Sequence, residues 1–192
     1  MSFFDRFGKS TKQSLNGLLA REQVISLKDL LDLDEIQTRH QIVDAARTIL
    51  LNSNHSQDGY NILGPLAAEG DVEAQFAMGE FCEDVLDRPE QAAIWFGRAA
   101  DQGMAKAQRN YADMLMAGKG IPQNPTKAAR YYESAANSGI SEAQFVMGEF
   151  YRNGHFVPKD DAKAIFWYQK ARNQGYDHAN ARLLKFYPNA MK

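Results

Sequence analysis

The chain has 192 residues, of which 44% are hydrophobic, with a formal net charge of −2 and a single cysteine. That length suits one domain or one short repeat array, and the charge excludes a global attraction to nucleic acid or anionic lipid. The lone Cys82 excludes an internal disulfide framework and favours a reducing, cytoplasmic compartment. No run of about 18 apolar residues is present to span a membrane. The N-terminal MSFFDRFGKSTKQ places charges where a secretory signal needs its apolar core.

Residues 1–33 read as an N-terminal extension. Phe3, Phe4 and Phe7 stand beside Arg6, Lys9 and Lys12. This is the pattern either of a short amphipathic anchor making weak membrane contact or of a tail packed on the first helices. The second reading carries more weight, because one or two turns with few basic residues bind membranes weakly. Between Asp34 and Asn52, the residues Ile36, Ile42, Val43, Ala46, Ile49 and Leu50 recur at helical spacing. Tyr60 to Gly70 (YNILGPLAAEG) resembles a worn second helix in which Pro65 should introduce a kink or an early end. Residues 34–70 are therefore expected to form a degenerate helix pair.

Residues 71–175 hold three copies of one unit. Glu73 to Phe81 (EAQFAMGEF), Lys106 to Met114 (KAQRNYADM) and Glu142 to Phe150 (EAQFVMGEF) lie in register. Gly103, Gly139 and Gly175 are 36 residues apart, and Gly70 lies 33 before Gly103. Self-similarity at such a period signals a solenoid, in which each unit buries its apolar face against its neighbours. First helices are expected near 71–83, 105–117 and 141–153, and second helices near 89–101, 125–137 and 160–173. Asn124 followed by Pro125 is a start signal, and Asp160 repeats the cap one unit later. The glycines suit left-handed helix ends. The first loop, Glu83 to Arg88, is short and lacks the Gly-x-Gly of Gly118 and Gly120. Gly79, Ala112 and Gly148 share one first-helix position, which suggests close helix contact there. Residues 176–192 repeat half a unit and stop at Pro188, as a capping helix and tail would.

Chemistry-bearing patterns are sparse. His40, His55, His155 and His178 have no zinc-site spacing. No G-x-S-x-G, P-loop or Gly-rich phosphate motif occurs. Cys82 follows a helical apolar run and reads as a buried, inert thiol. Glu80, Asp113 and Glu149 share a repeat position and are expected to form a row across stacked helices, with no role in acid–base catalysis. No catalytic residue, metal site or cofactor is assigned.

Four features together resemble the Sel-one-like repeat, a relative of the tetratricopeptide repeat: the helix-A alanines, the Met78–Gly79 and Met147–Gly148 pairs, the Gly-x-Gly turn at Gly118 and Gly120, and the ending WFGRAADQG from Trp95 to Gly103. The resemblance runs from about Asp71 to Tyr187. It departs at the short first loop, at Tyr111–Ala112 and at Ala171–Arg172. It implies an all-α, right-handed α-solenoid of antiparallel helix pairs, with an N-terminal helical extension and a C-terminal capping helix. It also implies a non-enzymatic protein–protein interaction module or adaptor whose first helices line a concave face. On this sequence the inward positions are Glu73, Phe76, Glu80 and Glu83, then Lys106, Arg109, Asp113 and Met116, then Glu142, Phe145, Glu149 and Arg152. If Phe76 and Phe145 face the groove, they are binding anchors, and the carboxylates around them favour a partner segment with Lys or Arg. The competing reading has these residues packing between units with their charges solvated. Another expectation from the resemblance is a cytoplasmic immunity protein against a secreted toxin, while Phe3, Phe4 and Phe7 leave open a membrane-associated scaffold. An enzyme or enzyme subunit using the acidic row is a further class, which a deep pocket with convergent carboxylates would mark.

Overall fold

The computed structural model describes residues 56–191 together with Val43, Asp44, Ala46 and Arg47. The extension over 1–33 and most of the helix expected between Asp34 and Asn52 lie outside the described residues. Val43, Asp44, Ala46 and Arg47 are helical, and Val43 and Ala46 are buried. Eight α-helices follow among the described residues: α1 Ser56–Ala68, α2 Val72–Glu80, α3 Pro89–Asp101, α4 Ala105–Ala117, α5 Pro125–Asn137, α6 Ser141–Asn153, α7 Asp161–Asn173 and α8 Asp177–Phe186. The fold is an all-α solenoid. It divides within α3 into two compact units, residues 1–95 and 96–192.

In the first unit α1 packs on α2. Pro65 lies inside α1 and does not end it. The short loop after α2 resolves into a π-helical turn over Phe81–Val85, closed by Leu86 N–H donating to the Phe81 carbonyl at 3.1 Å. Asp87, with φ of 49°, supplies the left-handed residue that ends this turn. Cys82 is buried in it, and burial pushes its thiol up, with Arg88 opposing. That is the environment of an inert thiol.

In the second unit α4 packs on α5, α5 on α6, α6 on α7 and α7 on α8. One apolar cluster joins α4, α5, α6 and Trp167 of α7. A second joins α7 to α8 around Tyr168 and Leu183. Alanine dominates both, so the helices approach closely and the aromatic rings fill the gaps.

The helix ends follow repeated local rules. Asn124 and Asp160 each accept from the backbone N–H three residues on, at 3.0 Å. Asp71 does the same for Ala74 at 2.9 Å. At the end of each second helix a glycine sits at φ between 84° and 98°. The residue after it then donates back across the last turn, as in Met104 N–H to Ala99 and Ile140 N–H to Ala135. A side chain with Cβ is strained at such φ, which accounts for the glycine spacing.

A further connection was not expected. Gln75, Gln108 and Gln144 are buried. Each Nε2 donates to a backbone carbonyl eight residues earlier, on the preceding second helix: Ala67 at 3.0 Å, Ala100 at 3.3 Å and Ala136 at 3.1 Å. Gln144 Oε1 also accepts from Gln174 Nε2 at 2.8 Å. Gln144→Leu should therefore cost about 1–3 kcal/mol, since it strands a buried carbonyl. Urea unfolding with an unchanged m-value would check this.

Candidate functional site

The acidic positions Glu80, Asp113 and Glu149 sit at or near the C-terminal half of α2, α4 and α6. Each is seated against an arginine. Arg47 grips Glu80 with two parallel bonds, Nε and Nη2 donating at 2.8 Å each. Its guanidinium lies 5.7 Å from the centre of the Phe76 ring. Arg109 Nε meets Asp113 at 3.1 Å along one helix face. Glu149 accepts from Arg182 Nε at 2.8 Å and from Arg152 Nη2 at 2.9 Å. The Arg182 guanidinium in turn lies 5.9 Å from the centre of the Phe145 ring.

Two of the acids have a second kind of partner. Tyr132 donates its hydroxyl to Asp113, and Tyr168 donates to Glu149 at 2.6 Å. Both tyrosines lie 19 residues after their acid, on the following second helix. Burial, then the bonded carboxylate, pushes both phenols above their ordinary range. For Glu149, burial alone raises the carboxyl, but the bonds from Tyr168, Arg152 and Arg182 outweigh it and hold it below the usual value. A carboxylate kept ionised and filled by three donors is a structural hub and is poorly suited to proton transfer.

The expected inward residues divide accordingly. Phe76 is 5% exposed, so it belongs to the packing and presents no open anchor. Phe145 is half-buried, with Tyr176 at 5.3 Å and Tyr168 at 5.8 Å between ring centres. Met116 packs at the edge of the apolar cluster. Lys106 is exposed, while Glu73, Arg109, Glu142 and Arg152 are half-buried. Glu142 accepts from the Ser141 hydroxyl at 3.0 Å. In the second unit the structure thus brings Arg109 and Asp113 together on α4, and Phe145, Glu149 and Arg152 on α6. Arg182, which sequence reasoning passed over, joins the second group from α8. The expectation of a Lys- or Arg-bearing partner rested on outward carboxylates, and Glu80, Asp113 and Glu149 already hold the chain's own arginines.

Among the described residues no group of three His, Cys, Asp or Glu side chains is placed to hold a metal ion. His155 and His178 sit beside aromatic rings; His40 and His55 lie outside the described residues. No helix among the described residues is long and apolar enough to cross a membrane.

A model of the Sel1 repeat matches three consecutive segments, residues 72–104, 105–140 and 141–176. The chain belongs to the Sel1 repeat family. Sel1 repeat proteins are in general protein-interaction modules, and the fold typically serves as a non-enzymatic scaffold. Among solved structures, a Sel1 repeat protein from Oxalobacter formigenes is 34% identical, with a TM-score of 0.59 over 65% of this chain and 96% of its own. A protective antigen of uropathogenic Escherichia coli, described as displaying an SLR fold, is 24% identical with a TM-score of 0.73. That match covers 86% of this chain and 37% of the antigen. An immunity protein from Pseudomonas aeruginosa is 19% identical with a TM-score of 0.51, over 94% of this chain and 67% of its own. The last two are likenesses of fold. A search of the curated proteins found no match.

Proposed function

We propose that this Sel1 repeat chain is a non-enzymatic interaction module, holding a peptide or protein partner on the exposed edge of its first helices. The observation that carries the reading is the charged row of α4 and α6. Arg109 and Asp113 keep 38% and 44% of their side chains exposed although they are paired, and Lys106 stands exposed one turn before. A charge held in place by a neighbour meets a partner with less ordering entropy left to lose. Arg152 and Arg182 extend the row, with 23% and 39% of their side chains exposed. Phe76 is left out as an anchor, and Phe145 contributes an edge of its ring.

The test is affinity capture from the source organism with the tagged chain and with Lys106→Glu combined with Arg109→Glu. The expected result is a stoichiometric partner kept by the parent and weakened at least about tenfold by the double reversal. An unchanged melting temperature would show that the fold is intact. Equal capture by both proteins, or none by the parent above a tag-only control, would sink the reading. A single secreted toxin as partner, with protection of growth by the parent alone, would specify the module as an immunity protein. Several partners from one pathway would specify an adaptor.

A further inference from the structure

Each first helix carries one stripe that the following helices cover. On α6 the stripe is Phe145, Gly148 and Glu149. A Cβ at Gly148 would stand 2.5 Å from the Tyr168 ring of α7, and the Tyr168 hydroxyl is bonded to Glu149. Arg182 of α8 reaches Glu149 and the Phe145 ring. One repeat of 36 residues later, α8 carries Ala181, Leu184 and Lys185 at these positions. All three are exposed there. Leu184, at 56%, is the most exposed large apolar side chain among the described residues.

The substitutions change what fits. Gly148 lets a tyrosine of the next helix come close, and Ala112 is buried in one cluster with Tyr132 of α5. Leu184 at the same position turns such a ring away, so a further copy of α7 does not fit this face. The small residue now stands at Ala181, where α6 has Phe145, so the point of close approach has moved about one turn toward the start of α8. Lys185 replaces the acid of the row.

The altered stripe is complementary to itself. Asp177, Ala181, Leu184 and Lys185 fall within an arc of about 100°, with Ala179 and Leu183 buried on the other side of the helix. Two such helices set antiparallel about a two-fold axis at Ala181 place Asp177 of each copy opposite Lys185 of the other. Leu184 then meets Ala181 and His178 across the axis. Matching a surface to itself in this way is what an isologous contact requires. Neither Asp177 nor Lys185 is ion-paired with a described residue. Asp177 lies in the first turn and Lys185 in the last, so antiparallel axes also bring opposite dipole ends side by side.

We propose that α8 pairs with α8 of a second copy of this chain, antiparallel and crossing at Ala181. The helix has ten residues and is about 15 Å long. The contact is therefore small and the dimer weak, with a Kd on the order of 100 μM. Such a dimer carries the first-helix row twice and engages a partner of repeated structure with avidity.

The experiment is sedimentation equilibrium of the full chain from about 5 to about 500 μM, which brackets that Kd. The expected result is a monomer–dimer equilibrium with no larger species. Leu184→Glu, at an exposed position, should weaken association at least about tenfold with an unchanged melting temperature. Asp177→Lys and Lys185→Asp should each weaken it about tenfold. Mixed together, these two variants should pair with each other as tightly as the parent does with itself, since every charge then faces its opposite. A folding defect would not produce that rescue. A chain still monomeric at the highest concentration would overturn the proposal, as would association indifferent to Leu184→Glu or a mixture no tighter than either variant alone. Growth beyond a dimer would mark a head-to-tail contact and overturn it too.

Discussion

Replacing Gly148 by alanine should destabilise the chain by about 1–3 kcal/mol, although alanine is the better helix former. A Cβ at Gly148 would lie 2.5 Å and 2.6 Å from two carbons of the Tyr168 ring. That ring is fully buried, and its hydroxyl is tied to Glu149, so it cannot swing aside as a flexible chain end would. The equivalent Ala112 is also fully buried, and Tyr132 lies in the same apolar cluster. Ala112→Gly should therefore destabilise as well, by about 1 kcal/mol from helix propensity alone. The two positions thus demand opposite residues. In a chain of this size each kcal/mol moves Tm by about 2–4 °C, and calorimetry resolves it. Gly148→Ala made together with Tyr168→Ala should cost less than the two changes summed, because the second removes the obstacle. A Gly148→Ala protein as stable as the parent would mean that α6 and α7 are spaced more widely than described.

Glu149→Gln should cost about 2–3 kcal/mol near neutral pH, as charge-assisted bonds to three donors are weakened together. The amide keeps one neutral acceptor oxygen for Tyr168 and Arg182, which share Oε1, but turns an N–H toward Arg152. The pH dependence separates this from a packing effect. The Glu149 carboxyl is held below its usual value in the fold. Its stabilisation is therefore present in full above the unfolded value of about 4.3 and is lost as the pH falls through the lower folded value. Unfolding curves of parent and variant should lie apart at pH 7 and converge in acid. Tyr168, raised in the fold, works at the other end: its contribution is present below about pH 10 and declines as the pH rises further. A gap between parent and Glu149→Gln that stays constant from pH 7 to pH 3 would exclude the ionised hub.

Much of the fold was legible because its signals are local. The 36-residue glycine spacing and the caps Asn124 and Asp160 depend on a few adjacent residues, and the described helices start and stop within a few residues of the expected ends. The carboxylate pairings were not legible. Arg47 and Arg182 each lie 33 residues from the acid they hold, on segments flanking the repeats, and no periodic pattern marks them. Side-chain direction decided Phe76, whose helical spacing suited a groove or a core equally. The glutamines could have been found: Gln75, Gln108 and Gln144 repeat in register, and a polar residue kept on an apolar stripe asks for a buried partner.

Each of those glutamines reaches backward to a helix of the unit before it. The bond is therefore written into the follower and asks of its predecessor only a backbone carbonyl, which any sequence supplies. A copied unit inserted into such an array carries its own connector and finds a socket wherever it lands. Lengthening the molecule by tandem duplication then needs no matching change in the older unit. The helix at the head of the series, by the same logic, has only to offer its carbonyl, as α1 does through Ala67 to Gln75, and its side chains stay free to diverge.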